Sequence, residues 1–434
     1  MIEWWNNVKI KNVHESTIFL LKVKVEIMKT VGIIAEFNPF HNGHRYLIET
    51  AKKITNADNV VVICSGNYVQ RGMPAVFDKT IRAKMAILNG ADAVFELPVC
   101  YSTASAELFA TASVAFLSKL NCIDYLCFGC ETTNTKILKL IASILADEPE
   151  EYKTYLSNQL KTGVSFPTAR LYALKNYLNF IWADSNEIDN ILSTPNNILA
   201  IEYLKAMKKL NTSIEPIFIQ RIGAGYHSTI LKTDFASATG IRQEIISNHT
   251  DSIHKFMPEN THAFLKDNKF IIPEDFNKIV GYRLISENDF EKYYDITQFL
   301  SNRINKLKYS FVDISSFIST LQSKNYTFSG ISRGLCHITL EITKKDIELF
   351  IQNNYIFYGR LLGFHKNSNI LSQIKKNSTI DIIGKFSDYY HHCDILSKKM
   401  LDINLQADAL YRLVYMNKYK TELPTEFERE IAIL

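Results

Sequence analysis

The sequence predicts an α/β fold: a parallel sheet covered by helices, followed by a mostly helical C-terminal domain. Three observations carry this. From Val31 onward, short β-rich runs alternate with longer stretches of helical periodicity, the pattern of strand-helix-strand units. The β-rich runs are apolar almost end to end, as in strands buried on both faces. Beyond about residue 250 the alternation stops, and segments such as "EKYYDITQFLSNRINKLKYSF" read as helices rich in Lys, Tyr, Phe and Asn.

Taken in order, "TVGIIAEF" is the first strand and "GHRYLIETAKKI" its helix. "NVVVICSG" is the second strand, and "KTIRAKMAILNG" is a helix that Gly90 can close. "DAVFELPV" is the third strand; "SAELFATASVAFLSKL" is helical, and "IDYLCFG" is the fourth strand. "KILKLIASILA" and "EEYKTYLSNQL" continue as helices. In "STPNNILAIEYLKAMKKL", Ser193 or Thr194 serves as cap and Pro195 opens the first turn. "IEPIFIQRI" is the fifth strand, leading into the loop Gly223-Ala224-Gly225-Tyr226-His227, and "DFASATGIRQEI" supplies one more loop and helix.

The chain has 434 residues, and single cores tend to stop growing at ~250 to 300 residues. Two domains are expected, residues 28–250 and 251–434, with no Pro/Gly linker marking the boundary. Residues 1–27 stand apart. Lys22 and Lys24 interrupt "STIFLLKVKVEI", so it fits neither a signal peptide nor a spanning helix, and Met28-Lys29 directly precedes the first strand. The expectation is an upstream start or a loosely attached extension. No other segment is long and apolar enough to cross a membrane.

The net charge of +4 does not demand nucleic acid, yet it excludes the strongly acidic surface that would repel phosphate. Seven cysteines, an odd number lying mostly in apolar runs, suit a reducing cytoplasm. Cys127 and Cys130 form a lone CxxC without a second pair nearby, which argues against zinc.

The chemistry concentrates after the first strand. In a doubly wound sheet, ligands bind beyond the carboxyl ends of the strands. His41 and His44 sit at that rim, Gly43 leaves room for a ligand beside the backbone, and the next helix offers its amino end to an anion. Two donors and a helix terminus at one spot suit a triphosphate. The HxGH formed by His41-Asn42-Gly43-His44, with a later SxTxxR of Ser237, Thr239 and Arg242, resembles the nucleotidyltransferase superfamily. That resemblance implies a Rossmann-like domain in which His41 and His44, helped by Ser237, Thr239 and Arg242, stabilise charge growing on phosphoryl oxygens.

A longer set of strings narrows the resemblance. "GIIAEFNPFHNGH", "SGNYVQRGMPAVFDKTIRAKMAILNGADAVFELP", "FGCE", "STPNNILAIEY", "IGAGYH" and "FASATGIR" are together similar to the bacterial tRNA(Met) cytidine acetate ligases, closely from Met28 to Arg242 and more weakly beyond. The resemblance implies that ATP activates acetate as acetyl-adenylate with loss of pyrophosphate. The exocyclic amine of the wobble cytidine of elongator tRNA(Met) then takes the acetyl group, giving N4-acetylcytidine. Carried over by position, the ATP site comprises Ile34, Ala35, Glu36, Phe37, Asn38, Pro39, Phe40, His41, Asn42, Gly43, His44, Arg45, Tyr46 and Leu47, with Gly129, Asn196 and Arg221. Mg2+ is expected to accompany ATP, although no carboxylate cluster identifies a protein ligand for it.

Each role has a physical reading. Gly129 ends the fourth strand where a side chain would obstruct the nucleoside. Asn196, in a first helical turn, can read a base edge or ribose, or simply cap. Arg221 ends the fifth strand, where a cation can face phosphate. Gln70 and Arg71 follow the second strand beside the same rim and suit acetate or a tRNA phosphate; Lys79, Arg82 and Lys84 read as a solvated helix face. In the second domain, "YTFSGISRG" and "YIFYGR" combine flat side chains with cations, making Arg333 and Arg360 candidates for RNA contact. A small-molecule adenylyltransferase would share the histidines, but such enzymes tend to be compact single domains.

Overall fold

The computed structural model describes residues 28–178, 185–221, 236–247, 249–266 and 269–434. The amino-terminal extension and the loop expected at Gly223-Ala224-Gly225-Tyr226-His227 lie outside the described residues.

All five expected strands form: β1 (Thr30–Ala35), β2 (Asn59–Ser65), then, past a short antiparallel hairpin of β3 (Tyr68–Val69) and β4 (Met73–Pro74), β5 (Ala93–Leu97), β6 (Tyr125–Cys130) and β7 (Glu215–Gln220). Three more follow in the C-terminal region, β8 (Tyr358–Phe364), β9 (Asp381–Ile383) and β10 (Ala432–Ile433). The main sheet is ordered β10-β8-β5-β2-β1-β6-β7, with β9 also paired to β8. β1 lies parallel to β2 on one side and β6 on the other. The chain therefore winds outward from β1 through β2 to β5, then restarts beyond β1 with β6, and this reversal opens a crevice at the carboxyl ends of β1 and β6.

Alternation along the strands separates two apolar layers. Val60, Val62 and Cys64 of β2 pack with Ile48 and Ala51 of the helix Asn42–Thr55 and with Met85 and Ala86 of the helix Lys79–Leu88. Val61 and Ile63 point the other way, into a core holding Phe116 and Leu117 of the helix Ala106–Leu120 and Ile201 of the helix Pro195–Lys209. That second layer continues into the C-terminal helices through Leu335, Leu401 and Tyr411.

The C-terminal region is mostly helical, as expected, but it is not separate from the sheet. β8 pairs antiparallel with β5, with a register irregularity between Val94 and Phe95. The boundary expected near residue 250 is thus not a boundary of the sheet. The run "YGRLLGF" hides its strand because glycine lowers strand propensity. Packing needs the glycine: a Cβ at Gly363 would lie 2.7 Å from Ile87 Cδ1 and 2.8 Å from Ala432.

Charge ties the same elements together. Lys79 Nζ lies 2.9 Å from Glu96, 2.5 Å from Asp408 and 3.0 Å from Glu426. Arg360 on β8 pairs with Glu96 at 3.5 Å and also with Glu426, and its guanidinium lies 4.5 Å from the Phe386 ring centroid. Arg429 pairs with Asp78 at 2.6 Å and Glu426 at 2.9 Å. Burial, and then Glu426, pushes the Asp408 carboxyl up; burial works the same way on Glu426, but Lys79, Arg360 and Arg429 hold it low.

Three basic residues are therefore placed differently from expectation. Lys79 and Arg82 are buried rather than solvated, and Arg360 is inside the protein rather than on an RNA-facing surface. Arg82 donates to Glu36 O at 2.6 Å, Ser65 O at 3.0 Å, Phe77 O at 3.0 Å and also to Gly66 O, so it binds the carboxyl ends of β1 and β2 into one rim.

Candidate functional site

Beyond β1 the chain turns sharply. Phe37 adopts φ +49° and the Asn38–Pro39 peptide is cis. Asn38 fastens the turn from both ends: its Oδ1 accepts from Val76 N–H at 2.8 Å, and its carbonyl accepts from Arg242 Nη1 at 2.7 Å. Phe37 and Phe40 are buried edge to face, 4.9 Å between centroids, and flank the His44 ring at 4.9 and 5.6 Å. His44 thus has an apolar wall behind it and the cleft in front.

His41 is the N-cap of the helix Asn42–Thr55. Its Nδ1 accepts from Gly43 N–H at 3.0 Å, while the His41 N–H donates to His44 Nδ1 at 3.2 Å, a reciprocal capping box. Because both Nδ1 atoms accept, each neutral ring carries its proton on Nε2. The rings stack with centroids 3.8 Å apart. Burial, then Arg221 and Arg242, lowers His41 to about 3; burial, then His41 and Arg221, holds His44 well below the usual imidazole range. Both shifts favour the neutral imidazole over the cation. Gly43 also serves this geometry, since a Cβ there would lie 2.8 Å from His41 Cε1.

The opposite wall comes from β6, β7 and the helix Pro195–Lys209. A Cβ on Gly129 would stand 3.2 Å from Arg221 Cγ, so the glycine makes room for that arginine. Arg221 Nη1 lies 3.5 Å from Asn196 Oδ1, and Asn196 Nδ2 donates to Glu131 Oε1 at 2.5 Å. Thr194 occupies the N-cap without a side-chain cap bond; the Asn197 N–H donates instead to Glu131 Oε2 at 2.9 Å.

At the third side, Ser237 caps the helix Ala238–Ile246 by accepting from Gly240 N–H at 3.1 Å, and Arg242 Nη2 donates to Thr239 Oγ1 at 3.1 Å. Ser237, Thr239 and Arg242 all line the cleft, as do Gln70 and Arg71. The Gln70 N–H donates to Glu36 Oε1 at 2.8 Å, which seats the hairpin loop against β1.

The cleft therefore gathers Ile34, Ala35, Glu36, Phe37, Asn38, His41, Gly43, His44, Tyr46 and Leu47 with Gly129, Asn196 and Arg221. Pro39, Phe40, Asn42 and Arg45 lie outside its lining: Phe40 is buried behind His44, Asn42 Nδ2 donates to Lys255 O at 3.0 Å, and Arg45 pairs with Glu49 at 2.7 Å. Arg333 is close by rather than in the cleft, its Nε 2.7 Å from Asp295 Oδ2. Its backbone packs on Gly72, whose φ is +69° and whose added Cβ would lie 2.5 Å from Arg333 Cα. Sequence reasoning gave no role to Glu131 or Asn197; the "FGCE" and "PNN" strings contain them, but their meeting is a product of the fold.

Among the described residues no group of three or more His, Cys, Asp and Glu side chains is placed to hold a metal, and no helix is long and apolar enough to cross a membrane.

Comparison with known proteins agrees with this geometry. Residues 28–426 match the family model described as HIGH Nucleotidyl Transferase. The tRNA(Met) cytidine acetate ligase of Acetivibrio thermocellus is 38% identical over 419 residues, covering 94% of this chain and all of that protein. The enzyme of the same name from a Thermoanaerobacter species is 40% identical over 90% of this chain and 96% of its own length. Crystal structures of Thermotoga maritima TmcAL, apo and bound with alpha-thio ATP, superpose with TM-scores of 0.89 and 0.87 at 29% identity, covering 94% of this chain and 100% of theirs. With its paired histidines at the mouth of a doubly wound sheet and relatives matched along nearly its whole length, the chain belongs to the HIGH nucleotidyl transferases, and among them to the tRNA(Met) cytidine acetate ligase family.

Proposed function

We propose that the protein is an ATP-dependent ligase that acetylates the wobble cytidine of elongator tRNA(Met). The observation that carries the reading is the convergence of two neutral histidines with Arg221 and Arg242 at the crevice beside β1. In the first step an acetate oxygen attacks the α-phosphorus of ATP and the bond to the bridging oxygen breaks, releasing pyrophosphate. The Nε2–H groups of His41 and His44 donate to phosphoryl oxygens as charge grows there, and Arg221 and Arg242 supply the compensating positive charge.

In the second step the cytidine N4 attacks the acetyl carbonyl carbon, the carbon-oxygen bond to AMP breaks, and N4 loses a proton. Gln70 and Arg71 stand where acetate or a tRNA phosphate would lie, on a hairpin whose Gly72 touches Arg333. Tyr46, Leu47, Asn196, Ser237 and Thr239 complete the nucleotide's surroundings. Mg2+, when it accompanies ATP, would be held by the phosphates and water rather than by a protein carboxylate cage. A tRNA substrate makes the cytoplasm the place of action.

Incubation with ATP, labelled acetate and total tRNA, followed by digestion to nucleosides, tests the proposal. Labelled N4-acetylcytidine is expected; the absence of both acetylated cytidine and acetate-dependent pyrophosphate release would overturn the proposal and leave the small-molecule adenylyltransferase reading, whose acceptor this mixture lacks.

A further inference from the structure

Glu131 stands directly behind the cleft wall, just past the end of β6. Its Oε1 accepts from Asn196 Nδ2 at 2.5 Å and its Oε2 from the Asn197 N–H at 2.9 Å, while its own N–H donates to Asn197 Oδ1 at 2.9 Å. A carboxylate can only accept, so Asn196 must turn its amide nitrogen toward Glu131; the reverse orientation would set two acceptors face to face. Asn196 Oδ1 is thereby directed into the cleft, where Arg221 Nη1 lies 3.5 Å away. An amide oxygen has two lone pairs, and Arg221 takes one.

We propose that Glu131 is a positioning residue that fixes Asn196 as a hydrogen-bond acceptor, so that the cleft selects a nucleotide whose nucleoside part offers a donor at that point. The inference rests on the ATP reading of the cleft. A nucleoside has two kinds of donor to offer, a ribose hydroxyl and the exocyclic amine of adenine. Both meet the same acceptor, and nucleotide analogues separate them.

The test is calorimetric titration of the full chain with ATP, 2′-deoxy-ATP, 3′-deoxy-ATP and inosine triphosphate, without acetate or tRNA. Wild type should bind at least one analogue about tenfold more weakly than ATP, the size expected for one lost hydrogen bond. A deoxy analogue identifies a hydroxyl, and inosine triphosphate identifies the amine. In Glu131→Gln, the new amide keeps its oxygen on the Asn197 N–H and turns its nitrogen toward Asn196, which reverses. ATP affinity should fall about tenfold; a weak deoxy analogue should keep its own affinity, whereas inosine triphosphate, if it is the weak one, should bind more tightly because its O6 acceptor then meets the reversed amide nitrogen. Glu131→Gln with Asn196→Asp returns an acceptor to the cleft and should recover the preference. Asn196→Ala, which leaves the Glu131–Asn197 cap in place, should lose it. Equal weakening for all four nucleotides in Glu131→Gln, an unchanged preference, no recovery in the double variant, or a wild type that does not discriminate overturns the inference. A wild type that binds no nucleotide overturns the ATP reading beneath it.

Discussion

His41 and His44 stack with ring centroids 3.8 Å apart, and each turns Nδ1 toward a backbone N–H of the turn they share. One pair of residues thus begins the helix and aims two Nε2–H donors. Structure and chemistry are held in the same four residues, and their separation is the first thing to measure.

His41→Ala should lower acetate-dependent ATP–pyrophosphate exchange by about 10²- to 10³-fold, the range for removing a preorganised donor. Loss of one helix cap should cost about 1 kcal/mol, so the variant stays folded. Exchange at the wild-type rate in a folded variant would remove the donor role.

Acid stability reports the neutral rings. Burial, then Arg221 and Arg242, sets His41 at about 3 in the folded chain, against ~6.5 for a free imidazole. As pH falls through 6.5 the unfolded chain takes up protons first, so this contribution to stability is present above 6.5 and is lost progressively toward 3. Urea midpoints should fall between pH 7 and pH 5 less steeply in His41→Asn, which keeps a capping side chain, than in wild type. Identical slopes would show that the ring is not held neutral.

Arg360→Ala should destabilise the fold by about 3–5 kcal/mol, because it leaves buried Glu96 with Lys79 alone and buried Glu426 with Lys79 and Arg429, an excess of negative charge in the interior. Denaturation and tRNA binding measured together decide the matter. A variant as stable as wild type but weaker for tRNA would return Arg360 to an RNA-facing role.

Gly72→Ala places a side chain on a left-handed residue and against the Arg333 backbone. We expect a loss of at least about 1 kcal/mol. Because Gln70 and Arg71 ride on the same hairpin, kcat for acetylation should fall too. A drop in melting temperature with unchanged kcat would detach this hairpin from the chemistry.

The sequence made the first half of the fold readable because its signals are local. Apolar runs such as "NVVVICS" declare buried strands, and His41 through His44 and Ser237 through Arg242 are contiguous motifs. The rest depends on encounters between distant segments. Glu131 meets Asn196 only after β6 and the helix Pro195–Lys209 pack together. Lys79, Arg82 and Arg360 look like surface charges until their carboxylate and carbonyl partners arrive from elsewhere. Gly359 and Gly363 disguise β8, since the property that admits them is close approach to Ile382 in one case and Ile87 and Ala432 in the other.

β8 borders β5, and β10 borders β8 in turn, so the half of the molecule that carries the cleft borrows its outer edge from residues much later in the chain. A nascent chain cannot finish that half while the segment around Glu426 to Ile433 is still in the ribosome's exit tunnel. Expression of residues 28–250 alone would yield an exposed β5 edge with Lys79 and Glu96 short of partners, a fragment prone to aggregate rather than a miniature enzyme.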